Sequence, residues 1–473
     1  MHLTTPSLTS PDQPPSSPLS RRLWLSGAAA LFATSCVPDS HVPGPSEESA
    51  LGAAASADSP ASMPSAGQFA AWNAELRDKA PGRDAVLLDL DAVDHNIAVV
   101  TALLGSQLSL RIVTKSLPSL DLIEYVAQQA GTNKLMAFSE GILFGLLDRF
   151  GANADILLGR PMPAPGARRL LKAHPLPARG VKWLIDTKER LLEYLDLATS
   201  IHHRLSVAIE IDVGLHRGGA RTTTELLEML AVIADNPSRL RFVGFMGYEG
   251  HVPFAPPGFD SDAEFAAVQA RYADFVQAGS QAYPALFEGP LVLNSGGSAT
   301  HYRYGEDLST VVNDIALGNA FLLPGRFADL GALGFVPALF AASPVLKKVD
   351  PAEVPFAPGY LPALAQDNPS LEVSYFMLAG GFPGDVVHPE GLIPSPFIPG
   401  GEGVENLLPN QTLRNGARDV GLGIGDFVFY YPWEGDALVW LQAAEVMRDG
   451  EIVVRFPTMR EGCSKGCGAP LAH

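Results

Sequence analysis

The feature that most constrains this chain is an alternation. From about residue 83, short apolar runs rich in Val, Ile and Leu take turns with longer amphipathic stretches. The runs are 85–90, 108–113, 134–138, 155–158, 181–185, 205–211, 242–248, 291–293 and 315–322. Between them, 120–129, 188–199, 223–235 and 263–282 carry helical periodicity. A strand that is apolar at every position is buried on both faces, and strands separated by helices run parallel. Counting from the run at 108–113 leaves eight strands through 322. That predicts an α/β fold with a (β/α)8 TIM-type barrel, assigned to 71–334. An open doubly wound sheet is the alternative. After Gly334 proline becomes frequent and helical periodicity fades. Short runs at 340–345, 371–377, 427–431, 437–440 and 451–455 predict a C-terminal all-β domain over 335–473, with a hairpin turn at Arg448-Asp449-Gly450.

Residues 1–70 lie outside this pattern. A Ser/Pro/Thr-rich leader precedes Ser20-Arg21-Arg22-Leu23-Trp24-Leu25, and the apolar stretch 23–32 has signal-peptide length. The arginine pair resembles a twin-arginine export signal, and Ala33-Thr34-Ser35-Cys36 resembles a lipobox. Residues 1–36 are therefore read as a signal, with lipidated Cys36 as the sole membrane contact and a periplasmic or membrane-anchored destination. An ordinary leader with a chance arginine pair is the alternative. The segment 37–70 has hardly a large apolar residue, cannot offset its ordering entropy, and reads as a disordered linker. Cys463 and Cys467 remain as a pair near the C-terminus, either a local disulfide or two thiols. No run of about 18 apolar residues occurs, so no spanning helix is expected. The net charge of −18 repels phosphate backbones and argues against a nucleic-acid partner.

In a barrel, chemistry gathers where strands end and the following loops begin. The run at 108–113 ends in Thr114-Lys115-Ser116. A lysine emerging from a buried strand is partly desolvated, which favours the neutral amine a Schiff base requires. A lysine snorkelling to solvent is the plainer alternative. The next run ends in Ser139-Glu140, with a plain helix cap as the alternative reading. The segment Glu210-Ile211-Asp212-Val213-Gly214-Leu215-His216-Arg217-Gly218-Gly219 suits a close-approach loop over a ligand, or a tight turn with an internal Asp–Arg pair. Gly247-Tyr248-Glu249-Gly250-His251 puts three polar groups where a strand stops. Asn294-Ser295-Gly296-Gly297-Ser298-Ala299-Thr300 offers small residues and free backbone N–H groups to a phosphate.

Taken with Leu88–Ile97 and Asn313–Phe321, these segments resemble the fold-type III pyridoxal-phosphate enzymes. Within that group their order and the Tyr-Glu-Gly-His element are similar to D-threonine aldolases and eukaryotic-type D-serine dehydratases, more than to alanine racemase proper. The resemblance implies a Lys115 Schiff base with pyridoxal 5'-phosphate. It implies a phosphate site from Gly296, Gly297, Ser298 and Thr300, with Gly318 and Asn319 assisting and Asn294 beside them. It also places Arg217 against the pyridine ring and Tyr248 at its flank, and makes Lys115, Tyr248 and His251 the catalytic candidates. A homodimer and a small amino-acid substrate are implied as well.

Two departures bear on the reaction. The family's Arg-Pro-His-x-Lys-Thr-His pattern is here Arg111-Ile112-Val113-Thr114-Lys115-Ser116-Leu117, without either histidine. Where those relatives bind a metal in the β domain, this chain has Pro432-Trp433-Glu434-Gly435-Asp436. Glu434 and Asp436 could hold a hard divalent cation such as Mn²⁺ or Mg²⁺, or form a solvated turn. Three functions follow. The first is a lyase acting on small β-hydroxy D-amino acids. The second is a periplasmic racemase on the same scaffold, and the third is a catalytically silent exported barrel.

Overall fold

The computed structural model describes residues 63–459 except 176, 307–309, 355–356, 380–381 and 396–410. The signal, most of the linker, and all three cysteines lie outside the described residues. Everything described belongs to one compact unit, Ser59–His473.

Eight parallel strands close into a barrel: Ser109–Val113, Lys134–Ala137, Asp155–Leu158, Lys182–Ile185, Leu205–Glu210, Leu240–Met246, Val292–Ser295 and Asp314–Leu317. The last pairs with the first, Leu110 opposite Ile315 and Ile112 opposite Leu317. The open doubly wound alternative is thereby set aside. Strand Leu205–Glu210 is buried at every residue, the continuous burial its apolar sequence predicted. The connecting helices match the periodicity closely: Leu120–Gln129, Lys188–Ser200, Thr223–Asp235 and Ser261–Ala282. Ser119, Thr187, Thr222 and Asp260 each cap the N-terminus of their helix with a side-chain oxygen.

The second body is a nine-stranded sheet, mostly antiparallel. Strand Ala85–Asp89 belongs to this sheet. It lies antiparallel to Leu339–Val349 and parallel to Ala443–Arg448. The preceding segment, read from sequence as linker up to residue 70, turns helical at Ala66–Lys79 under a Ser65/Gln68 capping box. Phe69, Trp72 and Leu76 from that helix pack with Phe340, Phe427 and Phe429, so the sheet gains a helical cover that composition did not reveal. The hairpin at Asp449-Gly450 forms as expected, pairing Arg448 with Glu451. Both turn residues sit at positive φ, 52° and 81°, which suits Asp-Gly. The run 437–440, expected to be a strand, lies in the 3-10 segment Gly435–Trp440. Four apolar residues alone do not distinguish a strand from a buried helical turn.

Inside the barrel, at the end where strands begin, Arg111 is fully buried. Its Nε and Nη2 donate to the Asp314 carboxylate at 2.7 and 2.9 Å, and its Nη1 to Asp155 Oδ1 at 3.0 Å. Burial alone would raise the Asp314 carboxyl, but the Arg111 charge outweighs it and holds the group below its ordinary range. Asn294 Nδ2 donates to the same carboxylate at 2.7 Å, joining this core to the strand that leads into the site.

Candidate active site

The strand ends converge on a cavity of about 590 Å³ at the C-terminal mouth of the barrel. Of the expected residues, Lys115, Arg217, Tyr248, Asn294, Gly296, Gly297, Ser298, Thr300, Gly318, Asn319 and Glu434 line it.

Lys115 sits in a 3-10 turn, Thr114–Ser116, that ends strand Ser109–Val113. Thr114 anchors this turn by donating from Oγ1 to Met136 O at 2.8 Å. The lysine is exposed, and its Nζ lies 5.1 Å from the centroid of the Phe138 ring.

Arg217 stacks on the Tyr248 ring, with Cζ 5.0 Å from the centroid. Behind Arg217 lies Glu210, the last residue of its strand and 7% exposed. Burial pushes the Glu210 carboxyl up to about 7, against the pull of Arg217 and with help from Asp186 and Asp212. Burial likewise raises the Tyr248 phenol, helped by Glu249, so the hydroxyl keeps its proton. Two glycines make room for this ring. A Cβ at Gly250 would lie 2.5 Å from Tyr248 Cε1, and one at Gly297 would lie 3.0 Å from Cε2.

The loop 296–300 packs against Gly318-Asn319-Ala320. Ser298 Oγ accepts from Gly318 N at 3.3 Å and from Ala320 N at 3.0 Å, leaving its own proton to donate. Thr300, expected to hold a phosphate, donates instead to Glu249 Oε1 at 2.5 Å. The same fully buried carboxylate accepts from Ser295 Oγ at 2.8 Å and Gly296 N at 3.3 Å. Glu249 is therefore the brace of the loop, a role that sequence reasoning missed although the residue stood inside a motif it singled out. His301 follows the loop and ties back to it, Nδ1 to Ser298 O at 2.8 Å.

His251 is not among the lining residues. Its Nε2 faces Glu264 Oε1 at 3.1 Å on the helix Ser261–Ala282. Glu434 does enter the cavity, where Oε1 accepts from Arg326 Nη1 at 3.0 Å and Oε2 from Asn319 Nδ2 at 3.2 Å. Asp436 is exposed and does not line the cavity. Among the described residues no group of three or more His, Cys, Asp or Glu side chains is arranged to hold a metal ion. Arg326, Phe138, Phe254 and Phe327 are further lining residues that carry no sequence motif.

The cavity fits a planar ligand bearing a phosphate. It offers an amine at Lys115, a loop cradle with the Ser298 hydroxyl, and an arginine–tyrosine stack between them in the chain. A hydrogen in place of a side chain at Gly297 keeps the cradle open beside Tyr248.

Residues 88–316 match the family model described as "Alanine racemase, N-terminal domain". No curated protein sequence matches the chain. Among solved structures, D-threo-3-hydroxyaspartate dehydratase from Delftia sp. HT23 is 18% identical, with a TM-score of 0.59 over 80% of this chain and 97% of that one. D-threonine aldolase from Filomicrobium marinum is 15% identical, with a TM-score of 0.61 over 80% and 94%. Alanine racemase from Bacillus anthracis is 16% identical, with a TM-score of 0.58 over 79% and 97%. At such identities the likeness is one of fold.

Proposed function

We propose, from the match of residues 88–316 to the alanine racemase N-terminal domain of the fold-type III pyridoxal-phosphate enzymes, that this chain is a pyridoxal-phosphate-dependent lyase acting on small β-hydroxy D-amino acids. The observation that carries the reading is that Lys115 opens into the same cavity as the Ser298 cradle and the Arg217–Tyr248 stack. The chemistry supplied there by bound pyridoxal phosphate is withdrawal of electrons from Cα of an amino acid.

The chain's own groups divide the remaining work. Lys115 supplies the amine that holds the cofactor and can take or return a proton at Cα. Ser298 and the backbone around Gly296–Gly297 orient the phosphate. Arg217, which stacks on Tyr248 and feels the Glu210 carboxyl nearby, would lie against the pyridine ring, as the resemblance implies. Tyr248, kept protonated by burial, serves as a hydrogen-bond donor. Phe138 and Phe327, both half-buried, give the cavity apolar wall.

A racemase on the same scaffold is the second reading, favoured by the family model and by the alanine racemase among the structural relatives. The assays separate the two. The protein would be reduced with borohydride, digested and mapped by peptide mass, with an adduct expected on Lys115. D-Threonine and D-serine would then be supplied, and aldehyde or keto acid followed against loss of substrate. Enantiomers interconverting with no net loss would replace the lyase by the racemase. A protein that gains no visible chromophore with added pyridoxal phosphate would defeat both. Export through residues 1–36 and assembly as a homodimer complete the proposal.

A further inference from the structure

We propose that Arg326 and Glu434 together bind the side-chain hydroxyl of the substrate, so that the site selects β-hydroxy amino acids with an ion pair and without a metal ion. The inference rests on the lyase reading and names how that site recognises its substrate.

Glu434 belongs to a turn of the second sheet, and that turn is pressed onto the barrel beside the lysine. Gly435 N donates to Asn319 Oδ1 at 3.2 Å, and a Cβ at Gly435 would lie 2.8 Å from the backbone oxygen of Ser116, the residue after Lys115. Arg326 reaches the same turn from the barrel side, with its backbone N–H donating to Trp433 O at 3.2 Å. The Glu434 carboxylate is thus gripped at one oxygen by Arg326 and at the other by Asn319. Both charged side chains remain open to the cavity, 59% and 36% exposed.

The chemistry of the pair decides what it takes. A guanidinium only donates hydrogen bonds, and an ionised carboxylate only accepts them. A hydroxyl does both, and so satisfies the two groups at once. A second carboxylate on the substrate would face Glu434, and an ammonium would face Arg326. A methyl group would displace water from both charges and return nothing, which is the strongest basis on which a site rejects an analogue. The donor set does not favour a cation here. Asp436, the acid that would have to join Glu434, is exposed and outside the cavity lining, and Arg326 already balances the Glu434 charge.

The test uses the full chain loaded with pyridoxal phosphate. Half-saturation of the cofactor spectrum by D-serine and by D-alanine would be compared in the wild type, Arg326→Ala and Glu434→Ala. The milder Arg326→Lys and Glu434→Gln guard against loss of fold. Preference for D-serine over D-alanine should fall about 10- to 100-fold in both alanine variants, chiefly through weaker D-serine binding, and recover in part in Arg326→Lys. Wild type dialysed against a chelator and shown metal-free by elemental analysis should keep its preference, and Mn²⁺ alone should not raise its melting temperature. An unchanged preference in both alanine variants would overturn the assignment. So would a wild-type preference that vanishes with the chelator and returns with Mn²⁺. A chain that never forms the Lys115 adduct fails earlier and at a different step, taking the lyase reading and this one together.

Discussion

Replacing Glu210 by Gln tests the electrostatics behind Arg217, and its effect can be worked from the structure. Burial moves the Glu210 carboxyl from 4.5 to about 7. At 1.36 kcal/mol per unit, this is ~3 kcal/mol of folding free energy tied to one proton. The sign follows from the direction. A carboxyl whose folded value lies above its unfolded value contributes stability that is fully present below about 4.5 and is lost as pH rises through about 7. The ionised form is what a buried position with Asp186 and Asp212 nearby tolerates poorly, even beside Arg217.

Glu210→Gln removes the titration but keeps the shape. Reversible urea unfolding of the cofactor-free protein should therefore show the variant gaining on the wild type by about 2.5 kcal/mol between pH 5 and pH 8, since part of the total is already lost at pH 5. Comparing differences at two pH values cancels every other titrating group and any fixed cost of the amide. Two stability curves that run parallel over this range would refute the argument and place Glu210 in contact with water. Function should move the other way above pH 7, where Glu210 is ionised and the variant deprives Arg217 of its counter-charge: ligand affinity should fall there.

Three further outcomes are expected. Asp314→Ala strips the buried Arg111 of the carboxylate that takes its Nε and Nη2, leaving it, among the described acids, only the Nη1 bond to the Asp155 carboxylate, and should cost about 3–5 kcal/mol, read by urea unfolding at neutral pH. Glu249→Ala strands the Ser295 and Thr300 hydroxyls and should cost about 2–4 kcal/mol, with weaker cofactor binding in a fluorescence titration. Burial lowers the His301 imidazole to about 4, so its stability contribution is present above 6.5 and is lost as pH falls through about 4. The ring should stay neutral at pH 5.5 by nuclear magnetic resonance.

How much of this could be read from residues alone depended on what each feature obeys. The barrel was legible because strands buried on both faces are apolar throughout, and the position of Lys115, Tyr248 and Ser298 at the cavity was legible because barrel strands end there. Boundaries were less so: the run at 242–248 is strand over Leu240–Met246, since backbone pairing and not hydropathy ends it. The membership of Ala85–Asp89 in the distant sheet is a long-range pairing with no local signal. The acids 434 and 436 show the limit most clearly. Residues two apart share a face only in a strand. Here Glu434 is extended, but the 3-10 segment Gly435–Trp440 begins at once, so the two carboxylates part, one into the cavity and one to the exterior. Arg326 lies beyond the last barrel strand in a stretch without motif, and only the fold brings it to Glu434.

The distribution of charge around the cavity carries the final step. The chain bears a net charge of −18, yet among the described residues the charged groups lining this cavity are Lys115, Arg217 and Arg326 against Glu434. The other nearby acids stand one layer back. Glu210 lies behind Arg217, and Glu249 beneath the loop 296–300, its oxygens occupied by protein donors. An acid in that position fixes a donor without meeting the ligand, so the surface presented to a substrate is cationic while the protein behind it is not. Such layering makes the positive potential local, which suits the binding of an anionic ligand inside an acidic protein. It also predicts where substitutions will be felt. Removing an acid of the back layer should disturb the placement of its donor before it disturbs the field, and so should appear first as lost affinity in a protein that still folds around its cofactor.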